Sequence, residues 1–189
     1  IEYAVSQKIP CVLVNSYSDK LPSVLSDNRK GAYLAGRYLI EHGHKTVALL
    51  AGGRSYLSNQ ERTAGFLQAF QEEGLSIPPE LILETGSWLY DAAEKVCLNF
   101  FNTYTGEMPT ALFAFNDRLA TGAINAICKT GRTVPDDVSV IGYDNLGYYN
   151  IISPRITTVE THIEAISEST VMHMIWQLNN GSCLPVKVL

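Results

Sequence analysis

Lysine and arginine are scarce in this sequence, 14 against 19 aspartates and glutamates, for a formal net charge of −5. A nucleic-acid surface needs clustered cations to replace phosphate counterions, so this segment is not expected to hold DNA or RNA itself. No apolar run approaches the ~20 residues of a membrane span, and no signal peptide opens the sequence. Cys11, Cys97, Cys128 and Cys183 form no CxxC pair and sit inside apolar patterns. They read as free, mostly buried thiols in a reducing, cytoplasmic setting rather than as disulfides or metal ligands. His42 and His44 flank Gly43 at the end of a predicted helix, with nothing to complete a zinc set. Enzyme signatures are missing in the same way: there is no GxSxG, no GxGxxG, no P-loop ending and no usefully spaced carboxylate pair. The expectation is a protein that carries out no chemistry and holds neither metal nor cofactor.

What is present is 189 residues, 46% of them hydrophobic, enough for one large domain or two small lobes. Short apolar runs at 9–15, 46–51, 81–83, 110–115, 138–141 and 156–159 read as strands, and Val24-Leu25 is a short apolar piece before the Ser26-Asp27-Asn28 cluster. Helical periodicity covers 28–42, about 58–70, 90–104, 118–129 and 163–178. Strand and helix in alternation predict a doubly wound parallel α/β sheet.

The stretch from Pro109 to Asn145 organises the rest. Its strand, helix and strand form a parallel crossover, which puts Asn116 and Asp144 at the carboxyl ends of two parallel strands. Open α/β sheets bind ligands at that edge, so both are expected to contact one small molecule, while Asp117 and Asn145 are expected to be turn or cap residues. Arg62 falls in the first turn of a helix that follows a strand, where a planar fork suits hydroxyl or carboxylate recognition. Ser58 and Glu61 match a capping box. Trp88, after another strand end, is either core or a stacking plate for a ligand ring. The aromatic and aliphatic run from Leu146 to Ile152 is a candidate contact surface.

In order along the chain, Ser26-Asp27-Asn28 with GAYLAGRYLIEHGHK, then VALLAGG, ERTAGF, PTALFAFND, VPDDVSVIGYDN and SPRITTV resemble the lactose/galactose repressor family of bacterial transcription regulators. The resemblance covers nearly the whole chain. It implies the effector-binding domain of such a regulator, built like a periplasmic binding protein: two Rossmann-like lobes with parallel sheets, three crossovers and a small ligand between the lobes. By motif position the implied effector contacts are Asn15, Leu25, Ser58, Arg62, Trp88, Asn116 and Asp144, and the implied homodimer contacts are Tyr148, Tyr149, Ile151 and Ile152. The effector is expected to be a sugar or a similar polar metabolite, and operator DNA to be bound only through an N-terminal headpiece lying outside this sequence. The implied layout is a truncated N-terminal lobe of residues 1–26 and 160–181 and a C-terminal lobe of 27–159 and 182–189. A periplasmic sugar-binding receptor would share the fold and is the alternative, but it needs a signal peptide and suits unpaired thiols poorly.

Overall fold

The computed structural model describes residues 1–147, 155–181 and 187–189. It divides into two compact units, one of residues 1–27 and 161–189, the other of residues 28–160.

The smaller unit holds helix α1 (Glu2–Ser6), strands β1 (Leu13–Val14) and β2 (Ser23–Leu25), and, from the far end of the chain, helix α6 (Ile163–Asn180) and strand β8 (Lys187–Val188). Its three strands are parallel in the order β1-β2-β8, with Leu13 opposite Ser23 and Val24 opposite Lys187. Residues 187–189 therefore belong to this unit and not, as expected, to the larger one: the Leu189 amide donates to the Leu25 carbonyl and its own carbonyl accepts from the Asp27 amide, each at 2.9 Å. The buried strand expected over 9–15 shrinks to two residues, because Ile9 and Val14 are exposed and only β2 is covered. Helix α6 ends at Gly181 in the left-handed conformation, the stop a glycine provides most cheaply. It buries Ile166, Ser169 and His173, whereas Val171, Met172, Ile175 and Trp176 are exposed.

In the larger unit five parallel strands run in the order β4-β3-β5-β6-β7, formed by Ile82–Glu84, Val47–Ala51, Ala111–Ala114, Ser139–Asp144 and Thr157–Glu160. The helices are α2 (Asn28–Glu41), α3 (Leu57–Glu72), α4 (Tyr90–Thr103) and α5 (Asp117–Lys129). Every residue of β3 and β5 is buried, as continuous apolar strands covered on both faces should be. Helices α2 and α3 pack against each other, and α4 packs against α5. The first pair approaches so closely that a Cβ on Gly65 would lie 2.0 Å from the carbonyl oxygen of Arg29. Stacked rings at the centre, Phe66 on Phe113 with centroids 4.8 Å apart, tie α3 to β5.

Candidate functional site

Strands β5 and β6 pair directly, with Ala111 opposite Ser139 and Phe113 opposite Ile141, so both end on one edge of the sheet. Asn116 follows β5 as the N-cap of α5: its Oδ1 accepts from the Leu119 amide at 2.7 Å, and its Nδ2 reaches the Trp88 carbonyl at 3.5 Å. The side chain thus caps the helix with its oxygen and turns its amide nitrogen toward the Trp88 backbone. Asp117 is structural. It is 2% exposed, and its carboxylate accepts from the Thr158 hydroxyl at 2.6 Å and the Leu146 amide at 3.2 Å, tying α5 to β7 and to the turn after β6.

Asp144 ends β6 at φ 107°, a conformation that costs a non-glycine residue of order 1–3 kcal/mol and gathers at functional sites. Its Oδ1 lies 3.4 Å from a terminal nitrogen of Arg62, and its side chain keeps 26% exposure. Arg62, whose planar fork is expected to serve recognition, lies one turn after Ser58 on α3. It is buried, donates from Nε to Asn28 Oδ1 at 2.9 Å and from a terminal nitrogen to the Phe115 carbonyl, and lies 3.6 Å above the centroid of the Tyr143 ring. Burial pushes the Asp144 carboxyl up to about 6, with Arg62 opposing and Asp117 adding to the rise. Burial also pulls the Arg62 guanidinium below its usual range, against the pull of Asp144. Both shifts disfavour charge: desolvation is the larger cause in each, and the mutual attraction offsets it only in part.

Trp88 is half-buried. A Cβ on Gly52 would come within 2.7 Å of two indole carbons, so that glycine's backbone lies flat on the ring, and Tyr56 meets it edge-on with centroids 5.7 Å apart. Ser58 stands one turn before Arg62 on α3 and is half-buried. It does not cap: the helix starts at Leu57 after Tyr56, which makes no side-chain cap bond, and Glu61 instead accepts from Asn28 Nδ2 at 3.0 Å. Asn15 and Leu25 lie in the smaller unit at the ends of β1 and β2. Asn15 is left-handed at φ 49° and its Oδ1 accepts from the amide and hydroxyl of Ser26, each at 3.1 Å. Tyr148, Tyr149, Ile151 and Ile152 lie outside the described residues. A cavity of about 210 Å³ opens at the opposite, amino edge of the sheet, lined by Tyr38, His42, His44 and Arg155 among others, and shares no residue with the Arg62–Asp144 group.

Sequence reasoning missed Asn28 and Tyr143. Strand alternation held the signal for the second: Gly142 faces Ala120 of α5, so Tyr143 must face α2 and α3.

The model of the periplasmic binding protein-like domain matches residues 37–186. The chain belongs to the periplasmic binding protein-like domain family. Within that family, the HTH-type transcriptional repressor PurR of Pasteurella multocida is 35% identical over 176 residues, 92% of this chain and 52% of that protein. This periplasmic binding protein-like chain thus spans about half the length of the curated relatives it matches. A crystal structure of a LacI transcriptional regulator from Bacillus cereus subsp. cytotoxis superposes with a TM-score of 0.90 at 26% identity, covering all of this chain and 67% of that one. A LacI family regulator of Enterococcus faecium, solved with bound ribose, has the same fold with a TM-score of 0.87 at 24% identity, covering 100% of this chain and 69% of the other. The resemblance to the lactose/galactose repressor family holds along the chain.

Proposed function

We propose that this periplasmic binding protein-like chain is the effector-sensing part of a cytoplasmic bacterial transcription regulator, and that it binds a sugar or similar small polar metabolite without chemical change. The observation that carries the reading is the group at the carboxyl edge of the five-stranded sheet. Arg62 is held on Tyr143 with a terminal nitrogen 3.4 Å from Asp144, and Asn116 stands at the end of the next strand. Fixed donors beside a partly exposed acceptor suit a polyhydroxylated ligand, and Trp88, held by Gly52, supplies a plane for its apolar face. Ser58, and Asn15 and Leu25 of the smaller unit, complete the proposed contacts. The smaller unit corresponds in this proposal to the N-terminal lobe and the larger to the C-terminal lobe.

Support for regulation over transport comes from the relatives, which are HTH-type repressors. A ligand shifts the lobes only as far as its affinities for two arrangements differ. The proposed output is a change in operator binding by a homodimer joined through residues that include Tyr148, Tyr149, Ile151 and Ile152, with DNA held by a headpiece outside this sequence.

The test is a calorimetric screen of sugars, sugar phosphates and purines on the full-length regulator. A hit is expected to lose ~10- to 100-fold in affinity in Arg62→Ala and in Asp144→Ala, the ~1.5–3 kcal/mol of a charge-assisted contact. A hit that binds both variants as tightly as wild type moves the site elsewhere, and a hit that is consumed makes the protein an enzyme.

A further inference from the structure

Asn28, the first residue of α2, is 6% exposed and bridges two neighbouring residues of α3. Its Oδ1 accepts from Arg62 Nε at 2.9 Å, and its Nδ2 donates to Glu61 Oε2 at 3.0 Å. A guanidinium can only donate and a carboxylate can only accept, so the amide has one orientation that satisfies both; turned over, it would set N–H against N–H and oxygen against oxygen. Tyr143 fixes the plane of the guanidinium, and its rotation within that plane is held at two points, by a terminal nitrogen on the Phe115 carbonyl and by Nε on Asn28.

We propose that Asn28 is a positioning residue whose amide, set by Glu61, acts with the Phe115 carbonyl to fix the in-plane rotation of the Arg62 guanidinium and so the place where its outer edge meets Asp144. The consequence for ligand recognition rests on the reading of Arg62 and Asp144 as effector contacts; the geometric claim stands without it. Among the described residues, the charged groups facing Asp144 include Arg62 from α3 and Asp117 from α5, with Glu160 opposite it on β7, where that carboxylate accepts from Asn145. Of these, Arg62 is the one shown bonded to Asn28.

The experiment is an NMR titration of the ligand-free chain that follows the Asp144 carboxyl carbon and the Arg62 Nε resonance. In Asn28→Ala the guanidinium keeps the Phe115 carbonyl but loses its second in-plane anchor, its attraction for Asp144 weakens, and the Asp144 midpoint is expected to rise from about 6 by ~0.5 unit or more. Glu61→Ala is expected to move it the same way by less, and Glu61→Gln, which keeps an acceptor for Nδ2, to leave it near wild type. A folded Asn28→Ala protein with unchanged Asp144 midpoint and unchanged Arg62 Nε shift overturns the proposal. If Asn28→Ala does not fold, the half-buried Glu61 pair decides, and identical titrations in Glu61→Ala and wild type overturn it. Because no ligand is present, a metabolite screen without hits would sink the effector reading and leave this outcome intact.

Discussion

The guanidinium of Arg62 lies 3.6 Å above the centroid of the Tyr143 ring, and that contact joins the second turn of α3 to the last strand residue before Asp144. An arginine held this way is preorganised: its orientation is set before any ligand arrives, so binding need not order it. The arrangement has a cost, because two ionisable groups are desolvated for a pair 3.4 Å apart.

That cost has a pH signature. A carboxyl raised to about 6 from 3.8 binds its proton more tightly in the folded state, so stability is greatest below the unfolded value and falls as pH rises from about 4 to about 6. Asp144→Asn removes the titration. Urea unfolding at pH 4.5 and pH 7.5 should show wild type losing ~2 kcal/mol relative to the variant over that interval. Parallel curves would mean that Asp144 is not desolvated as described.

The same group sets the pH dependence of binding. If the carboxylate accepts from ligand hydroxyls, affinity for a hit from the screen is constant above about 6 and weakens toward tenfold per pH unit below it. Asp144→Asn should bind more weakly at neutral pH and show no such slope in calorimetry.

Trp88 is expected to report occupancy. Ligand stacking on the indole should change its fluorescence, and Trp176→Phe isolates that signal because Trp88 and Trp176 are the two tryptophans. Trp88→Phe, which keeps a ring against the core and Gly52, is expected to lower affinity by ~1 kcal/mol without unfolding the protein. Unchanged affinity would return Trp88 to a packing role.

Gly65 is placed where α2 and α3 touch. A Cβ there would stand 2.0 Å from a backbone oxygen of α2, which no side-chain rotation relieves. Gly65→Ala should destabilise the larger unit by ~3 kcal/mol or more, read as a shift in the denaturant midpoint, whereas Gly74→Ala, with nothing within 4 Å but a positive φ, should cost less.

The thiols separate by burial. Cys97 is buried and its thiol is pushed up to about 12, while Cys128 is exposed at the end of α5. Peptide mapping after brief alkylation of the native protein should find Cys128 modified and Cys97 untouched until the chain is unfolded. The sequence pattern predicts mostly buried cysteines, and Cys128 departs from it because the last turn of α5 has already rotated that position toward solvent.

Sequence alone determined the alternation of strands and helices, the parallel crossover from Pro109 to Asn145 and the sheet edge at which Asn116 and Asp144 end, because apolar period and turn residues are local quantities. The ordered motifs also placed the chain in its family, since they name positions rather than contacts. Arg62 as a buried, stacked group, Asn28 as its anchor, Glu61 as the anchor's partner rather than a cap, and β8 as the third strand of the smaller sheet were decided only by the tertiary structure. The Arg62–Asn28, Asn28–Glu61 and Arg62–Tyr143 contacts join residues at least 33 positions apart, and the direction in which a long side chain turns depends on what the folded neighbours offer it. At Arg62 they offered an aromatic face and three acceptors, and the cost of leaving a buried guanidinium unpaired settled where it lies.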